Sequence, residues 1–121
     1  MRTKLPSLDD GILLRVLKAL ADAKRFRMVQ EIAEGGELSC GEIGRRFPLA
    51  QPTISHHLKI LIDAGVLLVR REAQHGFLSV NRELLDSALK LLPGRLARAA
   101  GPKRRGEGGA GAARAGEVRN P

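Results

Sequence analysis

The chain has 121 residues, 21 Lys and Arg against 13 Asp and Glu, and a formal charge of +8. That length suits a single core, since domains commonly run to roughly 100 to 150 residues. With 3 Phe, no Trp and no Tyr the core has to be aliphatic, which favours helices over a β-sandwich, and the basic balance points to a polyanionic partner.

A first helix is expected from about residue 8 to 21, because Leu13, Val16, Leu17 and Leu20 recur at i, i+3, i+4 and i+7. Asp9, Asp10, Arg15 and Lys18 interrupt this stretch, so it lacks the apolar centre of a signal peptide or membrane span, and neither secretion nor membrane insertion is expected. A second helix, from about 23 to 34, carries Phe26, Val29, Ile32 and Ala33 and stops at Gly35 and Gly36. Ser39 and Glu42 have the spacing of a capping box, predicting a short helix from about 40 to 47 that ends before Pro48. A fourth helix covers about 51 to 64 and terminates at Gly65.

After Gly65 the period changes. Val66 to Arg70 reads as a short strand, Glu72 to Gly76 as a turn, and Phe77, Leu78 and Val80 as a second strand, together a β-hairpin. Asn81 caps a last helix with Leu85, Ala88, Leu89 and Leu92 on one face and Leu84 and Leu91 on another. From Pro93 the composition shifts to Gly, Ala and Arg, so residues 1–92 are read as the domain and 93–121 as a disordered basic tail. The tail carries +5 of the formal +8, which leaves the folded part to argue for its partner by motif.

The short link Pro48 to Ala50 makes the third and fourth helices a helix-turn-helix, provided that the second presents a polar outer face. At roughly 100° per residue, Ile54, Leu58, Leu61 and Ile62 share one sector, while Pro52, Thr53, His56 and Lys59 fall opposite. Ile60 also falls outward, and His57 lies beside the packing sector, a half-buried histidine as readily as a DNA contact. Such a face suits the major groove.

Ala50 to Val66, AQPTISHHLKILIDAGV, resembles the recognition segment of the ArsR/SmtB family of bacterial repressors, similar to SQPTVSHHLKVLREAGL. Leu17 to Arg27 resembles that family's KALADPTRLR, and Arg70, Arg71 and Glu72 stand where the family has its wing. The resemblance covers about residues 12 to 85, and three ordered matches are far more specific than a lone motif. It implies a mainly α winged helix-turn-helix with a small β-hairpin, a homodimer in the cytoplasm at the nucleoid, and double-stranded DNA as partner. The expected mechanism is repression, or autorepression, at an inverted-repeat operator.

On that reading Gln51, Pro52, Thr53, Ser55, His56 and Lys59 face DNA from the recognition helix, and Arg70 and Arg71 from the wing, flanked by His75 and Arg82. The resemblance places the dimer interface on the first and last helices, with Leu13, Leu17, Leu84 and Leu91 as candidates. Packing under the tail or wing is the alternative for Leu84 and Leu91. Ala50 stands where the family has Ser, so the recognition helix lacks a strong N-cap.

The family's metal-binding members carry a string similar to ELCVCDL, where this chain has Glu37 to Ile43, ELSCGEI, with Ser39 and Gly41 at the ligand positions. The last helix also lacks His. No metal, cofactor or inducing ligand is indicated. Cys40, the single cysteine, reads foremost as a buried structural residue, with a redox switch as the alternative. No motif pairs His56, His57 or His75 with a nucleophile, so an enzyme is not expected. Two other functions stay open: a dimeric protein-interaction module, and a nonspecific nucleic-acid binder driven by the tail.

Overall fold

The computed structural model describes residues 9–97. They form α1 (Asp10–Leu20), α2 (Ala23–Gly35), β1 (Leu38–Ser39), α3 (Cys40–Arg46), α4 (Gln51–Asp63), β2 (Leu67–Glu72), β3 (His75–Val80) and α5 (Arg82–Ala97).

Short polar side chains start most of these helices by accepting backbone N–H groups that the first turn leaves unpaired. Asp9 accepts from Ile12, and Asp22 accepts from Lys24 and Arg25. The Ser39 hydroxyl accepts from Glu42 N–H at 3.1 Å while Glu42 Oε1 accepts from Ser39 N–H at 2.8 Å, the expected capping box. Asn81 Oδ1 accepts from Leu84 N–H at the start of α5, as the sequence predicts. Glycines with positive φ follow two of the helices, Gly36 after α2 (φ 82°) and Gly65 after α4 (φ 84°).

The sheet is antiparallel in the order β1-β3-β2, one strand more than the expected hairpin. β1 pairs Leu38 with Leu78 and Ser39 with Phe77, and two residues are too few to show a strand period. β2 and β3 pair from Leu67 opposite Val80 to Glu72 opposite His75, so the expected turn contracts to Ala73 and Gln74, with Ala73 at φ 56°.

The core is aliphatic apart from Met28. Leu13, Val16 and Ala19 of α1, Met28, Val29 and Ile32 of α2, and Ile54, Leu58 and Leu61 of α4 meet Ile43, Val66, Leu67 and Leu78. Phe26, expected on the packing face, is 50% exposed. Steps of three residues drift by about 60° around a helix, so Phe26 lies far from Ile32, and Met28 takes the inward position.

Two compact units divide the chain, Met1–Leu89 and Lys90–Pro121, with the core in the first. The division falls inside α5, because the helix runs through Pro93 and Gly94 to Ala97 where the sequence suggested a boundary at residue 92. Proline suits helical φ and here forgoes one backbone bond, while Leu96 and Ala97 are good helix formers. Residues 93–97 of the expected tail are therefore helical, and 98–121 lie outside the described residues. No helix among the described residues is long and apolar enough to cross a membrane.

Ser39→Ala should cost about 1 kcal/mol in urea denaturation, because it strips the cap from a helix of seven residues. Hydrogen bonds from Ser39, through its backbone N–H first, hold the Glu42 carboxyl below its ordinary value of 4.5. A depressed pKa stabilises the fold above the ordinary carboxylate value, and that contribution disappears as pH falls through the depressed one. Glu42→Gln should therefore be less stable than the native chain at neutral pH and match it in strong acid.

Candidate nucleic-acid interface

The turn from Phe47 to Ala50 joins α3 to α4, whose two faces are set by burial. Ile54, Leu58 and Leu61 are buried, whereas Gln51, Pro52, Thr53, Ser55, His56 and Lys59 are all exposed. Ile60, placed outward by angle, is half-buried, as is Ile62. His57 is half-buried too, with Nδ1 3.3 Å from Arg25 Nη1 of α2. A guanidinium can only donate, so in this contact Nδ1 is the acceptor. His57 is thus part of the packing between helices rather than of the outer face. Asp63, which the sequence reading passed over, shares the outer face and accepts from Lys59 Nζ at 3.0 Å.

Ala50 makes no side-chain cap bond, and Pro52 follows in the first turn. Thr53 and Ile54 N–H both donate to the Ala50 carbonyl at 3.0 Å, and Pro52 has no N–H to satisfy. The missing cap therefore concerns chiefly the Gln51 amide, fewer than an uncapped helix usually leaves. Gln51 Nε2 donates to Ser55 Oγ at 3.4 Å, a weak tie between two outward side chains. Ala50→Ser should add about 0.5 to 1 kcal/mol in urea denaturation by giving Thr53 N–H a hydroxyl acceptor, and an unchanged midpoint would show that the Ala50 carbonyl already suffices.

Alternation along β2 sends Arg70 and Arg71 to opposite faces of the wing. Arg71 faces α4 across a cleft of about 310 Å³, with Ser55, Lys59 and Asp63 on the far wall. Arg71 makes no ion pair among the described residues. Cys40 also lines the cleft and is exposed, contrary to the buried position expected for it. It occupies the first position of α3, beneath the wing, and a Cβ at Gly76 would lie 3.6 Å from both Cys40 Sγ and Arg71 Nη1.

Arg70 points the other way and is engaged. Nε and Nη2 donate to the two Glu37 oxygens at 3.0 and 2.9 Å, Nη1 donates to Glu72 at 3.1 Å, and the guanidinium stands 4.5 Å from the Phe77 ring centroid. Arg70 holds the Glu37 carboxyl below its ordinary value, chiefly by hydrogen bonding, and is itself held protonated more firmly by Glu37 and Glu72. Arg82 donates to the Ala33 carbonyl at 3.5 Å, at the end of α2, while His75 is exposed beside Phe77.

The interface candidates divide. Leu13 is 4% exposed and is committed to the chain's own core, whereas its neighbour Leu14 is 55% exposed. Leu17 and Leu91 are half-buried. Leu84 is half-buried over Gly65, where a Cβ would lie 2.8 Å from Leu84 Cδ2, while Leu89 is 53% exposed. Helical period alone does not separate Leu13 from Leu14, because each adjoins other apolar positions. Among the described residues no group of three or more His, Cys, Asp or Glu is placed to hold a metal ion.

Residues 13–70 match the helix-turn-helix domain family. The transcriptional repressor SdpR of Bacillus subtilis is 35% identical over 74 residues, 61% of this chain and 81% of that protein. The arsenical resistance operon repressor of Staphylococcus aureus is 30% identical over 80 residues, 66% of this chain and 76% of that protein. In structure, an ArsR-like transcriptional regulator from Rhodococcus sp. RHA1 superposes with a TM-score of 0.63 at 20% identity, over 69% of this chain and 77% of that one, a likeness of fold. With its helix-turn-helix, its wing and these relatives, the chain belongs to the ArsR family of winged helix-turn-helix transcriptional regulators, DNA-binding proteins and not enzymes.

Proposed function

We propose that the chain is a cytoplasmic repressor or autorepressor that binds an inverted-repeat operator as a homodimer, with one α4 in each of two successive major grooves. The observation that carries this reading is the outer face of α4, where six polar or small side chains stand exposed and Arg71 of the wing faces the same cleft. Gln51, Thr53, Ser55 and His56 offer donors and acceptors to base edges, Pro52 packs against the groove, and Lys59 reaches phosphate. The exposed pair of Lys59 with Asp63 is weak enough for a phosphate to displace. Arg71 and His75 approach the flanking backbone or minor groove.

Dimerisation uses α1 and α5. Leu14 and Leu89, with half-buried Leu17, supply apolar surface that one protomer leaves uncovered, in keeping with an interface core. Leu14→Glu combined with Leu89→Glu should give a monomer in sedimentation equilibrium, and an unchanged mass would move the interface elsewhere.

Operator binding is tested by selecting duplexes from a random pool at physiological salt with the full chain, a form ending at Ala97, and a His56→Ala, Lys59→Ala variant. The first two should recover an inverted repeat with half-site centres about 10 base pairs apart, and the third should recover none. Enrichment of no motif by the full chain would favour a protein-interaction module. Binding lost with residues 98–121 and indifferent to α4 would favour nonspecific attachment through the basic tail. Arg71→Ala should weaken operator binding and flatten the dependence of log K on log salt by about 0.9, as loss of one phosphate contact requires.

A further inference from the structure

The wing changes character at one level. From Leu67 to Arg70 the sheet is anchored: β3 is flanked by β2 throughout and by β1 at Leu78 and Phe77. Beyond the level of Ser39, Phe77 and Arg70 no third strand remains, and Arg71, Glu72, His75 and Gly76 form a two-stranded ribbon closed by Ala73 and Gln74. Such a ribbon is marginally stable alone and twists freely. The Arg70 fork on Glu37 sits where the ribbon leaves the sheet, and Glu37 immediately precedes β1.

We propose that Arg70 is a positioning residue and not a DNA contact: clamped on Glu37 and stacked on Phe77, it fixes the twist of the wing so that Arg71, on the opposite face, stays aimed at the cleft beside the recognition helix. This inference rests on the DNA-binding reading above only for its consequence in affinity. The geometry is of the kind that makes an exposed ion pair effective: both oxygens of the carboxylate are engaged by one planar fork, a second carboxylate takes Nη1, and an aromatic ring supports the guanidinium. All guanidinium nitrogens therefore have carboxylate partners, whereas Arg71, one residue on, has none among the described residues.

A clamp and a phosphate contact predict opposite signs for one substitution. Glu37→Gln removes a negative charge from a DNA-binding surface, which by simple electrostatics tightens binding and releases Arg70 toward phosphate. A clamp requires the reverse. In the full-length chain without DNA, Glu37→Gln and Arg70→Lys should lower backbone amide order parameters at Arg71, Ala73 and Gln74 from about 0.85 toward 0.6, with α4 unchanged. On the duplex recovered in the selection, both variants should bind roughly fivefold more weakly, with thermal unfolding nearly unaltered, as expected for an exposed pair. Arg70→Ala should leave the salt dependence as in the native chain, unlike Arg71→Ala. Tighter binding by Glu37→Gln, a salt slope reduced by about 0.9 in Arg70→Ala, or a wing as ordered in Glu37→Gln as in the native chain would each overturn the proposal. If the native chain selects no duplex, the DNA-binding reading fails, and the order parameters of the free protein still decide the clamp.

Discussion

Presentation of the outer face of α4 depends on how its inner face is gripped. Ile54, Leu58 and Leu61 provide the apolar part of that grip, and Arg25 provides the polar part. Nε of Arg25 donates to the Ala19 carbonyl at 2.8 Å at the end of α1, and Nη2 to that of Lys18 at 3.4 Å, which also accepts from Ala21 N–H. Its own N–H donates to the Asp22 cap, its side chain pairs with the same carboxylate, and Nη1 meets His57. One side chain thus joins the end of α1, the start of α2 and the middle of α4. Asp22, held below its ordinary pKa chiefly by the Arg25 backbone N–H, stays ionised in that position.

Charge at the surface is sorted by geometry more than by count. Arg46 and Arg27 share Glu31, Arg70 is taken by Glu37 and Glu72, Lys59 leans on Asp63, and Arg82 closes the end of α2. Several of the cations that make the chain basic are therefore ties between elements. Arg71, facing the cleft, makes no such tie among the described residues and stands opposite the weakly tied polar side chains of α4. Exposure of Cys40 in that same cleft follows from its place at the first position of α3, which points it at Gly76 instead of at the core.

Sequence reading found what repeats or punctuates. The helices announced themselves by period and caps, as Ser39, Glu42, Asn81 and Gly65 show, and the division of α4 into packing and outer faces followed from angle alone. Elements without a period were invisible: β1 has two residues, and Pro93 looked like a stop although one proline can be absorbed by a helix. Contacts distant in sequence were equally hidden. Glu37 lies 33 residues from Arg70 and Arg25 lies 32 from His57, so nothing in their spacing marked them as partners. The alternation of a strand could have separated Arg70 from Arg71, and the drift of three-residue steps could have set Phe26 outward.

Gly65 carries a consequence for the proposed homodimer. Its positive φ turns the chain out of α4, its carbonyl accepts from Asn81 Nδ2 at 3.0 Å, and the absence of a Cβ lets Leu84 rest directly on it. The end of the recognition helix and the start of α5 thus meet at a residue where both the positive φ and a Cβ 2.8 Å from Leu84 Cδ2 would oppose a side chain. In a two-fold assembly through α5, that contact behaves as one arm of a caliper. In the homodimer proposed above, the gauge between the two reading heads then depends on a glycine and a leucine.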